Sequence, residues 1–369
     1  MPPGPPGAEP HLRLSIVVPF HRRVDQLRRC LAALRAAERR LPPDATVADL
    51  IVAADGAVDD PADVARELDA RVVVVPGPRG PAVARNRGAG QAGGDVLVFV
   101  DTDVIVSEDA LAKIAGALAA DPGVGAVFGA YDESPAEPNF FSQVRNLAHS
   151  YIHQRSNREA QTFWAGLGAV RAGVFATGGG FDERFRRPSV EDIELGYRIR
   201  AAGHRILLDP TIQGKHLKRW TLWSGIVTDV RDRGVPWTQL LARYSAMRND
   251  LNLTLKYRAC VVLAYLLLAC LAGVFWRLEL LAAAAVIVAM LWWLDRDYYA
   301  FFARKRGLGV ALAWFPFHVL HHLTNGVSFA IGTMLYWLRR LAGVTLPWTL
   351  PVTAWQGGGG RNRAGEVGS

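Results

Sequence analysis

Two acidic clusters carry the reactive potential of this sequence. Asp101-Thr102-Asp103 sets two carboxylates one residue apart, directly after the apolar run Val96 to Val100. A run of this kind reads as a strand buried on both faces, so the carboxylates at its end form a concentrated negative site. A hard divalent cation can sit there with phosphate oxygens as its other ligands. Glu191-Asp192, with Glu194, opens a stretch of helical length from Glu191 to Ala202. Acids in a first turn complement the helix dipole, and Ser189 can cap such a helix. A carboxylate in a cleft can equally act as general base for an attacking hydroxyl. The pairing of a metal-type Asp-x-Asp with a Glu-Asp about ninety residues later favours the chemical reading.

The elements that must position these groups show as alternating runs. Short apolar stretches at Leu14 to Val18, Leu50 to Ala54, Val72 to Val75 and Val96 to Val100 alternate with helical-length stretches at Val24 to Ala37, Pro61 to Leu68 and Pro81 to Gln91. This is the pattern of an α/β fold, a mainly parallel sheet flanked by helices, in which ligands gather at the carboxyl ends of the strands. Gly88-Ala89-Gly90-Gln91-Ala92-Gly93 matches a dinucleotide-binding fingerprint in letters only, because it follows a helix and precedes a strand. Gly178-Gly179-Gly180 lacks the Lys-Ser/Thr of a phosphate loop and is expected to be a turn before the helix at Glu191.

Val17-Val18-Pro19-Phe20, Ala54-Asp55-Gly56, Ala84-Arg85-Asn86-Arg87-Gly88, Asp101-Thr102-Asp103 and the run from Val190 to Arg198 follow in this order from Ser15 to about Tyr244. In order and spacing they resemble family 2 glycosyltransferases, whose A-type fold binds nucleotide sugars. The resemblance implies a hexosyltransferase-like, inverting transfer from a nucleoside diphosphate. It implies that Pro19, Asp55 and Arg85 hold the nucleoside and that Asp101 holds its ribose. Asp103, with Asp101, would bind the divalent cation, Mg²⁺ or Mn²⁺, and Asp192 would be the base. His216 lies where the family places a further cation or phosphate contact. Lys215 to Trp220 is similar to the basic-plus-Trp motif of membrane-bound members, which puts Arg219 and Trp220, with Glu191, on the acceptor and phosphate side. Trp164 reads either as a stacking platform for an acceptor sugar or as a core aromatic. Two departures matter: Ala54-Asp55-Gly56-Ala57 lacks one acid and one hydroxyl of the family's base-selecting loop, and His216 with Arg219-Trp220 matches Gln-x-x-Arg-Trp only in part. A processive polymerase is therefore not implied.

Composition divides the chain. Ala259 to Leu338 holds eight charged residues in eighty positions, against 63 in the 258 before it, so a soluble domain precedes an apolar one. The expected organisation is a disordered tail at 1–13, a catalytic domain with interfacial helices at 14–250, a membrane domain at 251–340 and a Gly-rich tail at 341–369. Within the membrane domain, a hairpin is expected over 259–294 and a further apolar segment over 307–338, interrupted by Pro316 and Asn325-Gly326. Arg219 to Arg233 reads as an amphipathic surface helix. His318, His321 and His322 share a helical face but have no acid near them in sequence, so they are expected to touch lipid headgroups.

The net charge of +8 comes from 37 Arg and 5 Lys, scattered among acids, with no nucleic-acid motif, so no nucleic-acid partner is expected. The charge suits anionic lipid and a diphosphate, and Lys215, His216, Lys218 and Arg219 can serve either. Cys30, Cys260 and Cys270 show no metal spacing and fit a reducing compartment. The first thirteen residues lack the apolar core of a signal peptide, so a multi-pass protein of the cell membrane with a cytoplasmic catalytic domain is expected. The leading function is sugar transfer from a nucleotide sugar to a hydroxyl of a lipid-linked or glycan acceptor in the envelope. Transfer to a polyprenyl phosphate is the alternative, and a non-catalytic sugar-nucleotide-binding membrane protein is the reading from another class.

Overall fold

The computed structural model describes residues 12–244 and 254–353. The Pro/Gly-rich start, Gly357 to Gly360 and the expected domain boundary near residue 250 lie outside the described residues. The first half-sheet follows the sequence reading closely: β1 (Leu12–Phe20), α1 (Val24–Glu38), β2 (Ala45–Asp55), α2 (Ala62–Glu67), β3 (Arg71–Val75), α3 (Pro81–Ala89) and β4 (Val96–Val100). Then come β5 (Val104–Val106), α4 (Ala110–Ala120), β6 (Val124–Tyr131), α5 (Phe140–Arg155), β7 (Glu159–Ala160), β8 (Leu167–Arg171), α6 (Ala172–Thr177), α7 (Glu191–Ala201) and β9 (Arg205–His216).

Among the described residues the strands form one sheet in the order β3-β2-β1-β4-β8-β6-β9-β5, with β7 beside β9. β3, β2, β1 and β4 run parallel, with β1, β2 and β4 the buried strands and β3 at the more exposed edge. The sheet as a whole is mixed rather than mainly parallel, because β8 enters antiparallel between β4 and β6, and β5 pairs antiparallel with β9. β8 is Leu-Gly-Ala-Val-Arg, too short and glycine-interrupted to show the alternation that marks a strand. Its insertion has a consequence for the site: the backbone N–H of Asp101 donates to the carbonyl of Gly166, just before β8, at 3.1 Å.

The glycine-rich decoy explains itself in packing. A Cβ on Gly88 would meet Val17 Cγ1 at 2.4 Å, so this glycine lets α3 lie directly on β1. Gly179 and Gly180 have φ of 75° and 70°, and the Gly180 carbonyl accepts from Arg198 of α7 at 2.6 Å. The stretch is the turn expected before α7.

Beyond the sheet lie α8 (Leu222–Val227), a π-helical stretch Thr228–Gly234 and α9 (Val235–Arg243), continuous with one another where an amphipathic helix over Arg219 to Arg233 was expected. The apolar part comprises α10 (Leu255–Gly273), α11 (Leu280–Leu294), α12 (Arg296–Arg306) and α13 (Leu308–Ala342). α10 and α11 pack against each other. Among the described residues, α10 alone is long and apolar enough to cross a membrane, and 17% of its most apolar stretch is buried. α11 has fifteen residues. The 307–338 segment, expected to break at Pro316 or Asn325-Gly326, is instead one helix of 35 residues running through both. Aromatic packing ties this region to the sheet domain: Tyr151 of α5 meets Tyr298 and Phe301 of α12 at 5.0 and 5.3 Å.

Gly88→Ala is expected to cost about 1–3 kcal/mol by overpacking against Val17, whereas Gly90→Ala, whose Cβ has ordinary clearance, should change stability by less than about 0.5 kcal/mol. Denaturation midpoints check this, and equal midpoints for the two variants would contradict the packing account.

Candidate active site

The two acidic clusters meet through one cation. Arg85, on α3, is 5% exposed. One of its terminal nitrogens donates to Asp101 Oδ1 at 2.7 Å, and the other to Glu191 Oε1 at 2.9 Å. The end of β4 is thereby joined to the start of α7, with Arg85 reaching Glu191 across 106 residues of sequence. Burial opposes a charge on Arg85, but Asp101, Glu191 and Asp192 hold the guanidinium protonated above its ordinary value. The next residue of α3 completes the clamp: the Asn86 side-chain amide donates to the Phe181 carbonyl at 2.9 Å and accepts from its N–H at 2.8 Å.

At the end of β4, the Thr102 hydroxyl donates to the Pro19 carbonyl, which ties the Asp-Thr-Asp turn to β1. Burial lifts the Asp101 carboxyl above the usual range despite Arg85. Asp103 is also pressed upward by burial, but its hydrogen bond to His216 and the His216 and Lys218 side chains bring it below the ordinary value. His216 Nε2 lies 3.4 Å from Asp103 Oδ2, and the imidazole stacks on Tyr131 at 4.2 Å with 10° between planes. Two carboxylates and one imidazole thus share a corner formed by β4, β5 and the end of β9.

On the other side, Asp192 sits at the first turn of α7. Its Oδ2 accepts from Ala165 N–H at 3.1 Å and its Oδ1 from Ile193 N–H at 2.8 Å. Burial, then the neighbouring Glu191 charge, raise its pKa to about 7. A carboxylate so tuned changes protonation near neutrality, as a general base requires.

The remaining expected residues fall into place unevenly. Asp55, at the end of β2, accepts from the N–H groups of Arg79 and Gly80 at 2.8 and 2.7 Å, so it fixes the β3–α3 loop. Glu191, expected on the acceptor and phosphate side, is 3% exposed; its oxygens take Arg85 and the N–H of Ser189. Trp220 is buried too, with Arg145 and Lys218 against its ring at 4.6 and 4.1 Å, while Arg219 is exposed. Trp164 packs edge-on to Tyr131 at 4.8 Å and lies against His149 and His153 at 5.1 and 5.4 Å.

His149 and His153, one turn apart on α5, are a part of the site that the sequence reading missed. Burial drives both pKa values down, His153 to about 4, so both are neutral at pH 7. His153 Nδ1 contacts the Gly129 carbonyl at 3.0 Å, whereas His149 Nδ1 has no hydrogen-bond partner among the described residues. Their i, i+4 spacing was the available signal. With Tyr131 and Trp164 they make an uncharged aromatic shelf beside the carboxylates.

Residues 15–178 match the family model described as Glycosyl transferase family 2. Validoxylamine A glucosyltransferase of Streptomyces hygroscopicus subsp. limoneus is 32% identical over 232 residues, which cover 54% of this chain and 50% of that protein. Pre-mycofactocin glycosyltransferase of Mycobacterium tuberculosis (strain CDC 1551 / Oshkosh) is 28% identical over 231 residues, covering 60% of this chain and 46% of that protein. The chain therefore spans about half the length of the curated relatives it matches. A mannosyltransferase from Pyrobaculum calidifontis, solved with GDP-Man and Mn²⁺, shares the fold over 90% of both chains with a TM-score of 0.51 at 17% identity. The chain carries a family 2 glycosyltransferase domain at residues 15–178.

Proposed function

We propose that this protein is a membrane-attached, metal-dependent inverting glycosyltransferase. It moves a hexosyl group from a nucleoside diphosphate to a hydroxyl of a lipid-linked or envelope acceptor at the cytoplasmic face. The observation that carries this reading is that Arg85 joins the Asp-x-Asp turn to Glu191, which brings the adjacent Asp192, a carboxyl whose pKa is lifted to about 7, to the same site.

The donor set fits a divalent cation: Asp103 and Asp101 offer hard oxygens, and His216 adds a borderline nitrogen that suits Mn²⁺. Bound there, the cation would offset the negative charge that builds on the β-phosphate as the diphosphate leaves. Pro19 faces the nucleoside, Asp55 shapes its pocket by holding the β3–α3 loop through Arg79 and Gly80, and Asp101 binds the ribose. Arg85 acts as a positioning residue, since its terminal nitrogens are taken by Asp101 and Glu191.

Asp192 takes the proton of the acceptor hydroxyl. As that proton leaves, the acceptor oxygen bonds to the anomeric carbon and the bond from this carbon to the β-phosphate oxygen breaks. Entry and departure on opposite faces invert the centre. The Ala165 and Ile193 N–H groups keep the Asp192 carboxylate aimed without neutralising it. Trp164, the partly buried indole of the shelf, offers a ring face to the acceptor, and the buried Tyr131 and neutral His153 that support it do not compete for the proton.

Membrane attachment is supported by the outward face of the hairpin, where Val262, Leu266, Leu268, Phe275, Trp276, Val286, Met290 and Trp293 are all exposed. An apolar surface of this extent needs covering, and the lipid bilayer covers it with Trp276 and Trp293 at hairpin ends.

Asp192→Asn is expected to lower turnover by about 10²–10⁴-fold while leaving donor binding intact; coupled detection of nucleotide release measures it, and full activity would rule out the base. Because Asp192 is protonated below its pKa of about 7, turnover of the native chain should fall as pH drops below that value and level off above it. A flat profile between pH 5.5 and 8.5, a window set roughly around that pKa, would contradict this. Asp103→Ala should abolish the response of turnover to added Mn²⁺. Arg85→Met strands two acids and should cost about 3–5 kcal/mol. Adding Glu191→Gln should recover part of that loss in chemical denaturation, whereas strictly additive losses would show that the pair is uncoupled.

A further inference from the structure

Two of the three histidines of α13 are buried rather than placed at a lipid surface. His318 and His322 are 5% and 3% exposed, and the acid that the local sequence lacks arrives from the α11–α12 junction: Asp295, 1% exposed. Around its Oδ2 stand Cys260 Sγ of α10 at 3.7 Å, His322 Nε2 at 3.7 Å and His318 Nδ1 at 3.9 Å. The donor atoms of Cys260, Asp295 and His322 all lie within 4.8 Å of one another. Neither ring nitrogen of His322 has a hydrogen-bond partner among the described residues. His321, by contrast, is satisfied by Asp229 Oδ2 at 3.1 Å.

We propose that Cys260, Asp295 and His322 form a zinc-type metal site, separate from the active site, that ties α10, the α11–α12 junction and α13 together. The chemistry of the donors selects the ion. A thiolate, an imidazole and one carboxylate favour Zn²⁺ and its neighbours over Mg²⁺ or Ca²⁺. The spacing agrees: bonds of about 2.0–2.3 Å in tetrahedral geometry separate ligand atoms by about 3.3–3.8 Å, and two of the three separations are 3.7 Å.

Charge agrees as well. One carboxylate and one thiolate cancel a divalent ion, and the thiol proton leaves to solvent on binding. Lys256 Nζ, 2.8 Å from Asp295 Oδ1, orients the carboxylate from the side away from Cys260 and His322. The Lys256 side chain is 34% exposed, so the site lies one side chain from water, at the polar end of the hairpin. The fourth position goes to a water, or to His318 once it releases the Tyr299 hydroxyl that lies 2.8 Å from its Nδ1.

The test uses the full chain in detergent, stripped with chelator and titrated with Co²⁺. The expected result is a thiolate-to-cobalt charge-transfer band with the intense visible bands of a tetrahedral ion, displaced by Zn²⁺ at one ion per chain. The band should vanish in Cys260→Ser and His322→Ala. It should persist in Cys30→Ser/Cys270→Ser, where Cys260 is the sole thiol, so the assignment stands even where the first two variants fail to fold. Zn²⁺ should raise the thermal midpoint of the native chain by several degrees and leave that of Cys260→Ser unmoved. No charge-transfer band at saturating Co²⁺, or its loss in Cys30→Ser/Cys270→Ser, overturns the proposal. Because the Cys30 thiol lies 3.7 Å from the Asp101 carbonyl, a band that disappears in Cys30→Ser/Cys270→Ser reports Co²⁺ at the Asp101/Asp103 corner and counts against the proposal.

Discussion

The buried guanidinium of Arg85 is the interaction on which the site depends. A charge withdrawn from water is tolerable only when partners replace its hydration, and here the partners are the first acid of one motif and the first acid of the other. This single constraint fixes where β4 must end relative to α7. It also divides the labour among four acids. Asp101 and Glu191 neutralise Arg85, which leaves Asp103 facing His216 and Asp192 held only by backbone N–H groups. The environments of Asp103 and Asp192 then move their pKa values in opposite directions, down for Asp103 and up to about 7 for Asp192. Two such carboxylates suit different tasks, one to hold charge and one to exchange a proton.

How much of this was legible in sequence follows from the range of the interactions. The four strands of the parallel half-sheet were readable because each is a contiguous apolar run rich in Val or Ile; burial on both faces demands such a run in β1, β2 and β4, and the edge strand β3 carries one although Val74 is exposed. β8 was not, since a five-residue strand with a glycine owes its place to neighbours on both sides. The same holds within the site. Asp101, Asp103 and Asp192 are visible as residue types at strand and helix ends, but nothing local shows that Arg85 spans from one to the other. Asp55 was expected to face a nucleoside, and its contacts with Arg79 and Gly80 could only be seen once the β3–α3 loop had a position.

The apolar region makes the same point in reverse. Periodicity marked His318, His321 and His322 as one helical face, and the absence of an acid nearby in sequence pointed away from ion binding. The fold supplies that acid from two directions, Asp295 to His318 and His322, and Asp229 to His321. Asp229 also receives both terminal nitrogens of Arg145, whose guanidinium covers the Trp220 ring. A continuous chain of contacts therefore runs from α13 through Asp229 and Arg145 to the segment that follows His216. The helices beyond the sheet are in this sense part of the site's support, in addition to any role as an anchor.

The central claim is that the corner formed by Asp101, Asp103 and His216 binds a nucleoside diphosphate together with a divalent cation. A thermal-shift titration of the purified chain with a panel of nucleoside diphosphates, with Mn²⁺ and then with chelator, tests it most directly. A ligand at a hundred times its dissociation constant stabilises by about 2.7 kcal/mol, a shift of several degrees. The account predicts such a shift for at least one diphosphate in Mn²⁺ and its loss in chelator. No shift with any diphosphate, or an equal shift in chelator, would contradict it.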